Sequence, residues 1–219
     1  MSEDHSLSLS PLRALLPHEE WAELERYPTQ TYLAGRRLLR QGDKGTQVLA
    51  LVQGVVKIVR TDRDGRQRLL AFRGRGDILG EMALEGPGVR MASVWAMSNC
   101  KAALVPGQDF RRFIDNHRLG CPLAVMTSRR LREQTEIQDG AAHQRLAVAL
   151  LRLIEVSPRG QRSFDLTREE LAQHIGVGRK AVSKALEQLG RGRVEAGKSR
   201  IRVVDLEGLR NAIFDGTDP

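Results

Sequence analysis

Two short amphipathic helices meeting at a glycine, written into the stretch from Leu166 to Leu189, constrain this chain more than any other feature. Thr167 is followed three residues later by Glu170, a capping box in which each side chain satisfies a free backbone N–H at a helix start. Leu171, Ala172 and Ile175 then fall on one helical face, and Ala172 is small enough to let a second helix approach closely. Gly176 sits where the chain must turn, and glycine tolerates the positive φ such a turn needs. A second helix is expected from Gly178 or Arg179, with Val182, Leu186 and Leu189 facing inward. That leaves Arg179, Lys180, Ser183 and Lys184 on the outer face near its start. In a helix-turn-helix these first residues are the ones that reach base edges. Arginine forks onto guanine, lysine donates to guanine or phosphate, and serine serves either. An ordinary helical hairpin with a solvated basic face has the same local pattern, so the neighbouring residues have to decide.

Arg193-Val194-Glu195 and Arg200-Ile201-Arg202-Val203-Val204 are short β-prone runs around Ala196-Gly197-Lys198-Ser199. They predict a hairpin wing with a basic tip. Lys198 and Ser199 at that tip, with Thr167 and Arg168 at the first helix start, are the expected phosphate contacts. The same segment, Gly192 to Ser199, matches the phosphate-loop spacing G-x-x-x-x-G-K-S/T. That loop works only with a strand before it and a helix after it, so that N–H groups and the helix dipole face the phosphates. Here a helix precedes it, an alternating strand follows it, and no acidic strand end for magnesium lies nearby. Nucleotide hydrolysis is therefore not expected.

Charge agrees with a polyanion partner. The formal net charge is +8, and residues 144–204 hold 13 Lys/Arg against 6 Asp/Glu, leaving 22 against 21 for the rest. Nearly all the excess surrounds the helix-turn-helix, as double-stranded DNA would require. A chain of 219 residues has room for one large or two small domains. No apolar run approaches a membrane span, and the polar start Met-Ser-Glu-Asp-His-Ser is unlike a signal peptide, so a cytoplasmic location and no membrane partner are expected. Cys100 and Cys121 are too few for a four-thiolate cluster; Cys100 reads as core and Cys121 as lying near a helix start. His5, His18, His117, His143 and His174 lack metal-ligand spacing, and no nucleophile–base constellation appears, so neither a metal nor a catalytic residue is assigned.

The first half reads differently. Leu12 to Arg26 is weakly helical, with Leu15, Leu16, Trp21 and Leu24 as candidate core. From Tyr32 to Val105 short β-rich runs alternate with glycines, including Val48–Val52 and Val55–Val59 around Gln53-Gly54, and Asp64-Gly65 as a hairpin turn. Many short strands at this spacing predict a small barrel or jelly roll. Within it, Gly80-Glu81-Met82-Ala83-Leu84 is followed by a glycine/proline loop and then by Arg90-Met91-Ala92. Glu81 is suited to a ribose hydroxyl, Arg90 to a phosphate, and the Met82 and Ala83 N–H groups to an anion cradle. A Glu81–Arg90 surface pair explains the same spacing more simply.

In this order the features resemble the cyclic-AMP receptor protein/FNR family of bacterial transcription regulators. The pieces Tyr32 to Asp43, Leu49 to Ile58 and Gly76 to Glu81 look like that family's cyclic-nucleotide-binding signature, and the resemblance runs from Leu12 to Asp205. It implies an α+β chain with an N-terminal cyclic-nucleotide-binding-type β-barrel (a double-stranded β-helix, or jelly roll) in residues 1–118. A long dimerisation helix and hinge follow in 119–140, and a winged helix-turn-helix in 141–219. It implies a ligand site of Gly80, Glu81, Met82, Ala83, Arg90, Met91 and Ala92, with Glu81 on the ribose and Arg90 on the cyclic phosphate. Gln134 and Thr135 of the long helix would fall near the base, and Leu123, Met126, Leu131 and Ile137 are the apolar candidates for a dimer seam. The implied ligand is cyclic AMP, cyclic GMP or a cyclic dinucleotide. The implied partners are a second copy, a pseudo-palindromic operator and RNA polymerase.

The chain departs from the family pattern in four places. Met91 stands where cyclic-nucleotide binders carry a hydroxyl, and the loop between Glu81 and Arg90 is shorter. The connection before Arg145 is about four residues shorter, roughly one helical turn. The loop Ser157 to Ser163 is short where the cyclic-AMP receptor touches RNA polymerase. An FNR-type iron–sulfur sensor is not expected, because the N-terminal cysteines are absent. Two functions fit: a dimeric regulator switched by a small nucleotide, or a ligand-independent regulator whose degenerate barrel serves as a dimerisation scaffold.

Overall fold

The computed structural model describes residues 11–85 and 88–214. A 3-10 turn, Leu12–Leu15, and helix α1, His18–Glu25, open it. The single helix expected over this stretch is broken at Pro17, whose missing N–H makes it a helix start rather than an interior residue. Trp21 and Leu24 are buried as expected, whereas Leu15 and Leu16 are only partly so.

Eight strands follow in two antiparallel sheets. They are β1 (Thr29–Tyr32), β2 (Arg37–Leu39), β3 (Gln47–Gln53), β4 (Val56–Thr61), β5 (Gln67–Arg73), β6 (Ile78–Leu79), β7 (Ser93–Ala96) and β8 (Cys100–Pro106), with the short helix α2 (Met82–Glu85) after β6. One sheet has the order β1-β8-β3-β6 and the other β2-β7-β4-β5, the arrangement of a jelly roll. β3 shows why its sequence is apolar throughout rather than alternating. Val48 and Ala50 face a cluster with Trp21, Phe110 and Phe113, while Leu49 and Leu51 face a second cluster with Val56, Leu79 and Val94. With successive side chains pointing to opposite faces, a strand covered on both sides needs an unbroken apolar run. Between Val48–Val52 and Val55–Val59 the chain changes sheet, so these two runs do not pair with each other. The Asp64-Gly65 turn does join β4 to β5, which project as a hairpin.

Helix α3 (Gly107–Asn116) closes the barrel and α4 (Gly120–Glu136) runs along it. After Gly140 come α5 (Ala142–Glu155), β9 (Ser163–Phe164), α6 (Arg168–Ile175), α7 (Arg179–Leu189), β10 (Val194–Ala196), β11 (Ile201–Val203) and α8 (Leu206–Asn211). Strands β10, β11 and β9 form the wing sheet, and the apolar faces of α5, α6 and α7 share one core. That core also takes in Val55, Leu69 and Phe72 of the barrel, so the β4–β5 hairpin is packed against the C-terminal unit.

The seam expected on α4 needs correcting. Met126 and Ile137 are buried within their own chain, at 3% and 2% exposure, and Leu123 packs on the barrel cluster. Of the four candidates only Leu131 is exposed, at 68%. The outward stripe instead runs through Ala124, Val125, Ser128, Leu131 and Thr135, at helical spacing.

Candidate ligand pocket and nucleic-acid interface

Gly80 ends β6 with φ +86°, a conformation glycine adopts without steric cost, and turns the chain into α2. The turn carries Glu81 and returns Arg90 from the far side of the loop. Gly86 and Pro87 of that loop lie outside the described residues. Arg90 is 5% exposed. Its Nη1 donates to the Gly80 carbonyl at 2.7 Å and its Nη2 to the Gln47 carbonyl at 2.5 Å. A Cβ on residue 80 would stand 2.3 Å from Arg90 Nη1, so glycine there serves the arginine as well as the turn. Among the described residues no carboxylate forms an ion pair with Arg90. Burial pushes its pKa down, opposed by the more distant charges of Glu81 and Asp43.

The surface pair Glu81–Arg90 that the spacing suggested is therefore not formed. Glu81 accepts from Arg130 of α4, which also reaches Asp77 at 3.2 Å and the Ile78 carbonyl at 3.1 Å. Arg130 was missed by sequence reasoning. Its only signal was a position one helical turn before Gln134, on the helix expected to line the pocket. Ala83 is buried and its N–H bonds the Gly80 carbonyl at 3.3 Å, so the expected cradle N–H is already engaged in the turn. Met82 and Met91 are exposed, at 54% and 47%, and Ala92 is half-buried. Thr135 is exposed on α4 with its hydroxyl on the Leu131 carbonyl at 3.4 Å, while the side chain of Gln134 lies outside the described residues.

At the other end of the molecule Thr167 caps α6 as expected. Its hydroxyl accepts from the Glu170 N–H at 3.2 Å, and Glu170 Oε2 accepts from the Thr167 N–H at 2.9 Å. Gly176, at φ +69°, ends α6 in the left-handed conformation, and α7 starts at Arg179. Val182, Leu186 and Leu189 are buried. Arg179, Lys180 and Lys184 are exposed and Ser183 is half-buried beside them. The first turn of α7 carries no acidic residue, so its N-terminal N–H groups and two cations give an anion-attracting end. Arg179 lies 3.3 Å from Glu169, but both are exposed and such a pair is weak. Arg168 is exposed at the start of α6, and Lys198 and Ser199 are exposed in the β10–β11 turn. The stretch Gly192 to Ser199 contains β10 and this turn, with α7 before it and β11 after it, so phosphate-loop geometry is not formed.

The hairpin side of the barrel reaches the same helix pair. Lys57 of β4 pairs with Glu170 of α6. Burial alone raises the Glu170 pKa, but hydrogen bonds from Lys57 and Thr167 outweigh it and hold the carboxyl below its ordinary value. His174 of α6 is 4% exposed, with Nδ1 2.9 Å from the Leu69 carbonyl and its ring 5.0 Å from that of Phe72. Burial lowers its pKa to about 4. None of these cross-domain partners had a sequence signal, because each joins residues about a hundred positions apart.

A jelly roll with a buried arginine at a glycine turn, fused to a winged helix-turn-helix, defines a DNA-binding regulator with a sensor-type barrel. Family comparison agrees: the cyclic nucleotide-binding domain matches residues 29–117 and the Crp-like helix-turn-helix domain residues 144–212. The chain is 31% identical to the cyclic AMP receptor protein of Thermus thermophilus, covering 94% of this chain and 97% of that one. It is 28% identical to the cAMP-activated global transcriptional regulator CRP of Escherichia coli O6:H1, covering 79% and 87%. In fold it is similar to a CRP-family transcriptional regulator solved from Thermus thermophilus, with a TM-score of 0.68, 24% identity, and coverage of 86% and 98%. The chain belongs to the CRP/FNR family of transcription regulators. No helix among the described residues is long and apolar enough to cross a membrane.

Proposed function

We propose that this regulator is a cytoplasmic homodimer whose DNA affinity is set by a small cyclic nucleotide in the barrel. The observation that carries the reading is Arg90: a nearly buried guanidinium, bonded to carbonyls and without an acidic partner among the described residues. Burying a cation without a counter-charge is costly, and a ligand phosphate supplies that charge with bidentate geometry. Glu81 and Arg130 beside it offer an acceptor and a donor for ribose hydroxyls. The exposed α4 stripe of Ala124, Val125, Ser128, Leu131 and Thr135 supports pairing with a second copy, whose recognition helix would then read the other half of a pseudo-palindromic operator. On that reading Arg179, Lys180 and Lys184 read bases with Ser183 in support, and Thr167, Arg168, Lys198 and Ser199 hold phosphates. The hydroxyl and backbone N–H of Thr167 are both engaged in its cap, so its contribution would come through placement of the helix start.

Calorimetry with cyclic AMP, cyclic GMP and cyclic di-GMP, with and without operator DNA, tests the reading; binding by the wild type and about hundredfold weaker binding by Arg90→Gln is the expected result. A ligand-independent regulator is the second reading. It is favoured by Glu81 being satisfied by Arg130 and by Met91 offering no hydroxyl. It requires operator binding with no calorimetric response to any of the three nucleotides.

A further inference from the structure

Four buried polar side chains, one from each element that would have to move, meet where the barrel, the long helix and the DNA-binding domain come together. Arg73 ends β5, Glu133 lies on α4, Arg152 on α5 and His174 on α6, at 5%, 2%, 2% and 4% exposure. Arg73 Nη2 stands 2.9 Å from Glu133 Oε2 and Nη1 donates to Oε1 at 3.2 Å. Arg152 Nη1 donates to the Glu133 backbone carbonyl at 2.7 Å, and Nη2 pairs with Glu136. Next to Arg73, Gly74 brings its backbone so close to the end of α5 that a Cβ would lie 2.1 Å from the Val156 carbonyl oxygen.

The knot is incompletely satisfied. Arg73 Nε, Arg152 Nε and His174 Nε2 are buried without a hydrogen-bond partner. Arg73 and Arg152 both reach Glu133; the other carboxylates near them are Glu136, 55% exposed at its side chain, and the buried Asp77, which acts on Arg73 without a direct hydrogen bond to it. A buried polar network that leaves polar atoms unsatisfied is weaker than an apolar seam of the same shape, yet removing Glu133 takes from a buried cation its paired carboxylate. Such a junction holds the domains together less firmly than an apolar seam of the same shape would.

The knot is also one helical turn from the pocket. Arg130, which holds Glu81, precedes Glu133 by three residues on α4. Asp77, bonded to Arg130, also accepts from the Gly74 N–H at 3.0 Å, next to Arg73. Two sets of charged contacts, Glu81–Arg130–Asp77 and Arg73–Glu133–Arg152, are therefore linked through one turn of α4 and through the Arg73–Gly74 peptide, and the second reaches the helix that begins the DNA-binding domain.

We infer that Arg73, Glu133, Arg152 and His174 form a release latch, which docks the DNA-binding domain on the barrel and lets it go when the α4 turn carrying Arg130 and Glu133 shifts. Response of the latch to a nucleotide rests on the pocket reading above; the latch itself does not. Hydrogen–deuterium exchange of the full chain, followed at β5 and α6 without ligand, tests it through two variants. Glu133→Gln takes from buried Arg73 its paired carboxylate and is expected to speed exchange at both segments about tenfold or more, while β3 and β8 are unchanged. The triple variant Arg73→Met, Glu133→Met, Arg152→Met replaces the knot by apolar groups of similar volume and is expected to slow exchange at both segments. Any other ordering of the two variants around the wild type overturns the latch. Adding cyclic AMP to the wild type judges the pocket separately: a calorimetric blank defeats the nucleotide reading and leaves the exchange result standing. If the nucleotide binds, it is expected to speed seam exchange in the wild type and not in the triple variant, and equal acceleration in both overturns the latch.

Discussion

The recognition helix and the barrel each carry an arginine proposed to meet a nucleic-acid or nucleotide partner, and they hold it in opposite ways. Arg179, Lys180 and Lys184 stand in water on α7, whereas Arg90 is 5% exposed and held by two carbonyls. Solvated cations act over long range, are screened by salt, and tolerate a moving partner. A desolvated arginine has already given up its hydration in the folded protein, so an arriving anion meets a fixed and under-compensated donor. A third case, Arg73, is buried as deeply as Arg90 but paired with Glu133. Burial alone therefore does not separate the two; on the proposed reading it is burial without a paired counter-charge that marks the binding arginine.

The largest test of that distinction is stability. Arg73→Ala leaves the Glu133 carboxylate buried without its paired guanidinium, and is expected to lower unfolding free energy by about 3–5 kcal/mol. Arg90→Gln removes a cation that has no acidic partner among the described residues, so its denaturant midpoint should stay near the wild-type value. Similar losses for both variants would erase the distinction. His174 gives a comparable effect through pH. Its folded pKa is about 4, below the ordinary 6.5, so between those values the unfolded chain takes up a proton that the folded chain refuses. Stability is thus full above pH 6.5 and falls as pH drops toward 4, by roughly 3 kcal/mol across that gap. Glu170 adds a separate loss at lower pH, because its depressed carboxyl must protonate. Denaturant melts of wild type and His174→Phe across this range should differ in slope between pH 6.5 and 4; parallel curves would refute the buried neutral imidazole.

The same contrast explains what the sequence revealed. The cap at Thr167, the turn at Gly176, the inward stripe of α7 and the wing are local, set by residues within one helical turn or one hairpin, and each could be read directly. The barrel was legible as glycine-punctuated β runs, but not the switch of sheet after β3, since a run buried on both faces carries no alternation to show its partners. On α4 the pattern misled: Met126 and Ile137 are apolar because their own chain covers them, and a helix sequence does not say which neighbour covers it. At the turn after β6, Gly80, Glu81 and Arg90 were legible as candidates, whereas Arg130 was not, because its partners lie about fifty residues away.

At the pocket, Arg90→Gln is expected to weaken cyclic-nucleotide binding about a hundredfold, the value of one strong charge-assisted interaction of roughly 2.7 kcal/mol. Calorimetry reads it directly. Gly80→Ala should reproduce much of the loss, because the added Cβ collides with Arg90 Nη1 at a positive φ. Wild-type affinity in Gly80→Ala would show that the arginine need not sit where it does.

The smallest effects belong to the solvated side and separate its two kinds of cation. On the proposed reading Arg179 contacts base edges at the start of α7, so Arg179→Ala should cost about 1–3 kcal/mol on the preferred operator and relax the preference at one position in each half-site. Lys198 is exposed in the β10–β11 turn at the wing tip, where the proposed reading gives it a phosphate. Lys198→Ala should weaken every sequence alike, by well under the Arg179 effect, and reduce the slope of log affinity against log salt by about one per wing. Anisotropy titrations on operator and random duplexes at several salt concentrations measure both. If Lys198→Ala discriminated between sequences, or Arg179→Ala changed the salt slope without changing specificity, the wing would be reading bases and the helix merely holding the backbone. That would reverse the contrast on the DNA side while leaving the buried arginine of the barrel untouched.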